Sequence, residues 1–293
     1  MSKLHLWLMA TRPKTLVASA IPMLMGGALA FHDGVFSLTI GVVVLVCSLL
    51  IQIATNFINE IYDFRKGADA IGRVGPIRAV SAGLITEQQM IFASWVVVVL
   101  CFLLGMYLVW IRGYVVLLIG TISLVMAWAY TGGRFSLAYK GLGDIFVFIF
   151  FGLVATAGTY YVLIGGWITE PALILGSIPG AFAMNILGVN NLRDRESDAK
   201  VGKRTFAVRF GATSSRILYI CMTIVAYSAA LILYLQINSL WMLLPFVTIP
   251  FGFTLCKLII IRDGEELNSI LAQTGVLLAI FGILISLGIV LAV

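Results

Sequence analysis

Two short segments concentrate acidic side chains in a chain that is otherwise strongly apolar. They cover residues 56–69 and 190–200 and contain nearly half of the 13 acidic residues in the sequence. On insertion scales, a carboxylate placed in the middle of a bilayer costs roughly 2.5–3.5 kcal/mol. We therefore expect carboxylates gathered at the end of an apolar helix to hold a cation or a proton.

The second segment has the simpler spacing. Asn190, Asp194 and Asp198 stand four residues apart. On a continuous helix this spacing stacks them on one face, each about 6 Å from the next. Arg193 is then expected to point away from that face.

The first segment repeats part of this pattern. Asn59 and Asp63 are also four residues apart and are predicted to share a helix face. Gly67 can end the helix and let Asp69 fold back toward the other two. The sequence thus predicts two helical units whose acidic ends face each other.

These side chains offer oxygen, with no sulfur or histidine among them. Magnesium prefers octahedral oxygen and usually binds through one or two carboxylates together with substrate phosphates. Two facing clusters can hold two such ions and bridge a diphosphate, whose remaining charge nearby Arg and Lys would neutralise. Two other interpretations stay open: solvated polar helix ends, and an ion-coupled transporter, although transporter sites typically lie near the bilayer midplane.

The elements that position these residues are membrane helices. The chain of 293 residues is 61% hydrophobic and 11% charged, whereas soluble domains are about a quarter charged. We predict an all-α, polytopic bundle of nine transmembrane helices with the active site at its cytoplasmic end, in a single domain covering residues 1–293. The predicted spans are 15–31, 38–61, 89–111, 114–130, 144–167, 171–191, 214–235, 239–260 and 267–292.

The basic residues predict the orientation of this bundle. With the N-terminus in the cytoplasm, every Lys and Arg except Arg112 falls on the inner side, as the positive-inside rule requires. The net charge of +6 is explained mainly by this bias, so no nucleic-acid partner is expected. The predicted location is an integral, multi-pass position in a lipid bilayer, with a bacterial inner membrane as the expected setting.

At the acidic segments the sequence resembles the UbiA superfamily of intramembrane aromatic prenyltransferases. That family carries Asn-Asp-x-x-Asp with a further Asp downstream, and a second motif Asp-x-x-x-Asp. Residues 59–63 followed by Asp69 are similar to the first motif, with Glu60 in place of Asp, and residues 194–198 are similar to the second. Further segments are similar to its 1,4-dihydroxy-2-naphthoate polyprenyltransferase branch (MenA): residues 12–16, 66–69, 130–133, 141–148, 190–194 and 202–209.

The resemblance implies a reaction. A polyprenyl chain is transferred from polyprenyl diphosphate to 1,4-dihydroxy-2-naphthoate with decarboxylation, which gives a demethylmenaquinone in menaquinone biosynthesis. Mg²⁺ is the implied cofactor, and the two substrates and the lipid bilayer are the implied partners. An acceptor of the 4-hydroxybenzoate or homogentisate type is the alternative.

The resemblance also implies residue roles. The implied metal ligands carry side-chain oxygen: Asn59, Asp63, Asp69, Asn190, Asp194 and Asp198. The implied catalytic residues are Asp63, Asp194, Asp198 and Lys140. The implied substrate-binding residues lie near the inner rim: Arg12, Lys66, Arg78, Tyr130, Tyr139, Lys140 and Lys203. Lys140 and Arg134 are also candidates for holding the acceptor carboxylate, and Asp144 is interpreted as a candidate N-cap of the fifth helix.

Overall fold

A computed structural model describes residues 2–67, 78–133 and 136–293, and the side chain of Lys14 lies outside the description. All regular secondary structure in those ranges is helical. The α-helices are α1 Lys3–Thr11, α2 Pro13–His32, α3 Leu38–Arg65, α4 Glu87–Arg112, α5 Tyr114–Ala129, α6 Gly143–Val147, α7 Ala155–Ile164, α8 Glu170–Arg193, α9 Arg195–Lys200, α10 Phe206–Ile237, α11 Ile249–Ile261 and α12 Leu267–Leu291.

Short segments of tighter or wider helix complete some of these elements. A π-helical segment, Phe148–Val154, joins α6 to α7 without a break in the helical path. A 3₁₀ segment, Leu240–Thr248, leads into α11. Another 3₁₀ turn, Ala138–Lys140, lies between α5 and α6 at the acidic end of the bundle.

Within the described residues, eight helices are long and apolar enough to cross a membrane, so the chain is an integral, multi-pass membrane protein. They are Thr15–His32, Leu38–Arg65, Glu87–Arg112, Gly143–Ile164, Glu170–Arg193, Phe206–Ile237, Leu240–Ile261 and Gly264–Leu291. The predicted spans 15–31 and 171–191 agree with these bounds to within a few residues. The predicted span 114–130 corresponds to α5. Its 16 residues extend about 24 Å, which is less than the hydrocarbon thickness.

Local sequence explains where the helices that carry the site begin and end. Arg12 adopts a left-handed conformation, with φ 52°, and Pro13 then starts α2 at a position where the missing N–H costs nothing. Thr86 and Gln89 form a reciprocal capping box at the start of α4. The capping box satisfies backbone N–H groups at the start of α4 that would otherwise lack partners.

The close packing of the π-helical segment against α8 depends on glycine. A Cβ added at Gly152 would lie 2.5 Å from the carbonyl oxygen of Gly176 and 2.7 Å from the Cα of Gly180. Such small residues let membrane helices approach at backbone distance. This contact fixes the continuous helical segment that starts at α6 against α8, which carries the first part of the second acidic motif.

Contacts at both ends of α5 place it along the height of the bundle. Before it begins, Arg112 donates hydrogen bonds of 2.6 Å to the carbonyl oxygens of Val162 and Leu163, near the end of α7. Beyond its last residue, the Thr131 carbonyl accepts a 2.8 Å hydrogen bond from Lys66, which follows α3. The two ends of α5 therefore contact opposite ends of the bundle.

Candidate functional site

The first acidic motif occupies the last two turns of α3. The Asn59 side-chain oxygen accepts a 2.6 Å hydrogen bond from the Thr131 hydroxyl. Asp63 accepts a 3.1 Å bond from Arg78 and a 3.3 Å bond from the Tyr139 hydroxyl. Both acidic-motif side chains are thus tied to segments that follow α3 and α5.

Glu60, which replaces the family's usual Asp, has a structural contact. It is 2% exposed, and its Oε1 accepts a 2.9 Å hydrogen bond from the backbone N–H of Val80. Its other oxygen lies 3.8 Å from a guanidinium nitrogen of Arg12. The longer carboxylate therefore fixes the segment after residue 78 and holds a predicted substrate-binding cation near the site.

The spacing of the second motif predicted one continuous helix, but the structure divides the motif between two helices. α8 ends at Arg193, Asp194 stands between helices with φ −90° and ψ 5°, and α9 begins at Arg195. The backbone N–H of Asp194 still bonds the Asn190 carbonyl, and that of Asp198 bonds the Asp194 carbonyl. The four-residue hydrogen-bonding pattern therefore continues through the interruption.

Arg193 is a site residue for which the expectation was wrong. Its side chain is 2% exposed and curls back onto the motif. It donates to both carboxylate oxygens of Asp194 at 2.7 and 2.6 Å, to Asn190 at 2.8 Å and to Asn268 at 2.7 Å. A long guanidinium can reach i−3 and i+1 partners that a helical-wheel argument places on another face. Four short hydrogen bonds offset the cost of burying the charge.

Tyr139 connects the two motifs. Its hydroxyl contacts Asp63, and the Lys66 ammonium lies 3.8 Å above the centre of its ring. The Lys203 ammonium lies 5.9 Å from the same ring centre and bonds Asp198 at 3.1 Å. The ammonium groups of Lys66 and Lys203 therefore both lie within the distance of one aromatic ring at which cation–π attraction acts.

A single cavity of about 1250 Å³ receives side chains from both motifs. Its polar end is lined by Asn59, Asp63, Asn190, Arg12, Arg78 and Lys203. The remaining wall is largely apolar and includes Val44, Phe102, Leu117, Phe146, Phe150 and Val276. The cavity therefore offers charged groups for a polar head and an apolar surface for a long hydrocarbon.

The other predicted site residues differ in their exposure and in whether they line the cavity. Lys140 is exposed, and its backbone carbonyl accepts a 2.6 Å hydrogen bond from Arg209. Tyr130 lines the cavity. Asp69 and Arg134 lie outside the described residues.

The donor set suits a hard divalent cation, although it is not a closed cage. Within residues 2–67, 78–133 and 136–293, no three Asp, Glu, His or Cys side chains converge as a metal-binding group. The buried Oδ2 of Asp198 has no hydrogen-bond partner, and its Oδ1 is bonded to Lys203. A buried carboxylate oxygen without a partner, next to amide and carboxylate oxygens, fits a cation that also takes ligands from a substrate.

Burial and neighbouring charges shift the titration of the site. Burial raises the pKa of Asp198 above its usual 3.8; Lys203 opposes this, and Asp194 and Asp63 add to it. Burial lowers the pKa of Lys66, with Asp63 opposing. Because Asp63 acts on Asp198, the carboxylates of the two motifs are close enough to interact electrostatically.

Comparison with known proteins places these features in context. Residues 19–273 match the UbiA prenyltransferase family. The chain is 34% identical to the 1,4-dihydroxy-2-naphthoate octaprenyltransferase of Haemophilus influenzae, over 99% of this chain and 97% of that protein. It is 36% identical to the Escherichia coli protein of the same name, over 82% and 80%.

Solved structures show the same fold. A UbiA homolog from Archaeoglobus fulgidus bound to DMAPP and Mg²⁺ superposes with a TM-score of 0.67 at 16% identity, over 98% of this chain and 99% of that one. The apo UbiA homolog from Aeropyrum pernix gives 0.70 at 15% identity, over 94% and 97%. The helix arrangement is therefore shared across large sequence divergence.

Proposed function

The chain belongs to the UbiA prenyltransferase family, and we propose that it transfers a polyprenyl chain from polyprenyl diphosphate to 1,4-dihydroxy-2-naphthoate. The acceptor carboxylate leaves as CO₂, and the product is a demethylmenaquinone of menaquinone biosynthesis. The observation that carries the proposal is the shared cavity, which joins Asn59 and Asp63 of the first motif and Asn190 of the second to a long apolar wall. The acceptor assignment draws on two 1,4-dihydroxy-2-naphthoate octaprenyltransferases, to which the chain is 34% and 36% identical.

Mg²⁺ is the proposed cofactor. Asn59, Asp63, Asn190, Asp194 and Asp198 would hold it in the described part of the chain, together with diphosphate oxygens. When bound, it supplies positive charge that stabilises the departing diphosphate. Asp69 remains a proposed ligand outside the described residues.

The chain's own cations are proposed to hold the donor. Arg78 and Lys203 donate to Asp63 and Asp198 of the two motifs, and Arg12 and Arg78 line the cavity. Lys66 donates to the Thr131 carbonyl and lies over the Tyr139 ring, which contacts Asp63. We assign them to the diphosphate, where charge-assisted hydrogen bonds are strong. Lys140, whose side chain is exposed, keeps its proposed role in catalysis and substrate binding.

The apolar wall has a separate task. An allylic cation is captured by water unless the pocket excludes it. Phe146 and Phe150 stack with ring centres 5.9 Å apart on the cavity wall, where their faces also stabilise a cation modestly. The same wall accommodates the hydrocarbon tail.

We further propose that the whole chain forms one nine-span unit with its N-terminus and its site on the cytoplasmic side. Support comes from the contacts of α5 with opposite ends of the bundle, which give it the path of a ninth span. The distribution of Lys and Arg supports the orientation.

Purified protein supplied with labelled geranylgeranyl diphosphate, Mg²⁺ and 1,4-dihydroxy-2-naphthoate tests the function. We expect a prenylated, decarboxylated ring and release of diphosphate, both abolished by EDTA and restored by Mg²⁺. Turnover on 4-hydroxybenzoate with none on the naphthoate would overturn the acceptor assignment. Absence of turnover on any aromatic acceptor would overturn the enzymatic proposal.

A further inference from the structure

Asp144 is a buried carboxylate without a hydrogen-bond partner. It is 4% exposed, and neither of its oxygens has a partner. A buried polar group left in this state costs roughly 1–3 kcal/mol, and more when it is charged. A native structure that retains such a group needs a reason for it.

The interpretation of Asp144 as an N-cap is wrong. Leu142 is the N-cap residue of α6, and no side chain there caps the helix. Asp144 stands one position inside the helix, at its second residue. Its carboxylate is therefore not explained by helix capping.

The location of Asp144 beside the large cavity offers another explanation for its buried carboxylate. Asp144 and Tyr130 both line the large cavity. A Cβ added at Gly143 would lie 3.2 Å from the Tyr130 hydroxyl oxygen, so that hydroxyl lies directly against the residue before Asp144. Asp144 thus belongs to the wall of the cavity and follows a residue that lies against a phenol.

Asp144 also differs from the other carboxylates of the site. Asp63, Asp194 and Asp198 each accept a hydrogen bond from an Arg or Lys at 3.1 Å or less. Those three already have cationic partners. Both oxygens of Asp144 are left without a partner, so this carboxylate can accept from a ligand that donates a proton or a hydrogen bond.

We propose that Asp144 binds the ring hydroxyl of the aromatic acceptor and acts as its general base. The proposal rests on the proposed function, because it requires a hydroxylated aromatic acceptor in this cavity. Tyr130 lines the same cavity, with its hydroxyl against the neighbouring Gly143. A positioned carboxylate of this kind typically contributes a factor of about 10²–10⁴ to a rate.

The electrons and atoms of the step balance. The hydroxyl proton moves to Asp144, and the phenolate makes its ring carbon more nucleophilic. The donor C–O bond breaks with its electron pair going to diphosphate, and a ring electron pair forms the new C–C bond. Loss of CO₂ leaves its bonding pair in the ring and regenerates a phenolate, which takes the proton back from Asp144.

The test compares wild type with Asp144→Asn under the same prenyl-transfer conditions. We expect kcat for 1,4-dihydroxy-2-naphthoate to fall at least 100-fold, with KM for the prenyl diphosphate and the Mg²⁺ requirement within twofold of wild type. Asp263→Asn is the matched control, because it removes a carboxylate that is 74% exposed and paired with Arg216. That control should keep wild-type turnover.

A second readout separates proton transfer from a structural role. Ring-fluorinated naphthoate acceptors have more acidic hydroxyls, so they need less help from a base. The loss in Asp144→Asn should therefore shrink steadily as the acceptor becomes more acidic. A loss of equal size for every acceptor would overturn the assignment.

Other results would also overturn it. If Asp144→Asn keeps a near wild-type kcat while the wild type is active, Asp144 is not the general base, and the proposed function still stands. Failure of both Asp144→Asn and Asp144→Ala to bind a prenyl thiodiphosphate shows that Asp144 supports the fold. An inactive wild type removes the proposed function itself.

Discussion

Replacement of Tyr139 tests how the two acidic motifs are joined. Tyr139→Phe removes the hydroxyl that bonds Asp63 and keeps the ring beneath Lys66. Tyr139→Leu removes both contacts. The pair of variants therefore separates the hydrogen bond from the cation–π contact.

The distances set the expected magnitudes. At 3.3 Å the hydrogen bond to Asp63 is longer than the usual 2.5–3.0 Å for two oxygens. It should therefore contribute about 1.5 kcal/mol, the lower end for a bond to a charged group. This predicts a loss of about tenfold in kcat/KM for Tyr139→Phe.

The ring contact adds to that loss. The Lys66 ammonium lies 3.8 Å from the ring centre, and the Lys203 ammonium lies 5.9 Å away, near the outer limit of the interaction. About 1 kcal/mol for the nearer contact predicts a further loss of roughly fivefold in Tyr139→Leu. The total loss should approach 50-fold by the same arithmetic.

The assay measures kcat/KM for the prenyl diphosphate at saturating acceptor. Tyr114→Phe serves as control, because Tyr114 starts α5 beside Arg112, away from the acidic motifs. Equal activities of Tyr139→Phe and wild type would refute the role of the hydroxyl. Equal activities of the Phe and Leu variants would refute the role of the ring.

Three further perturbations have defined outcomes. Arg193→Gln should lower the free energy of unfolding in detergent by about 3–5 kcal/mol, because it leaves a buried carboxylate without its cation; an unchanged melting temperature would contradict this. In metal-free protein the raised pKa of Asp198 gives stability that is complete below about pH 3.8 and is lost as the pH rises through the raised value; Asp198→Asn should flatten melting temperature against pH, and parallel curves would refute it. Gly152→Ala should cost about 1–3 kcal/mol, because its Cβ would lie 2.5 Å from the Gly176 carbonyl oxygen, whereas Gly105→Ala meets nothing within 4 Å and should melt like wild type.

Much of the architecture follows from hydrophobicity alone. Long apolar runs predict membrane helices because a helix satisfies all of its backbone hydrogen bonds within one segment. The span predicted at 144–167 corresponds to Gly143–Ile164, although its π-helical segment could not be read from the run. That segment depends on the backbone contact of Gly152 with α8, which is a tertiary feature.

The site was predictable as a set of residue types and less so as geometry. Spacing placed Asn59 and Asp63 together, and the cavity receives both. The break at Asp194 and the return of Arg193 could not be predicted, because they depend on tertiary partners such as Asn268. The only sequence signal for the role of Arg193 was its place next to an acidic residue. That signal is weak, because the positive-inside rule also accounts for basic residues on the cytoplasmic side.

The most direct measurement of the central claim is to locate Mn²⁺ by anomalous scattering in crystals grown with a prenyl thiodiphosphate. The account predicts metal between the two motifs, with one ligand from Asn59 or Asp63, another from Asp194 or Asp198, and the diphosphate bridging them. Metal bound to one motif alone, or at a site outside this cavity, would contradict it.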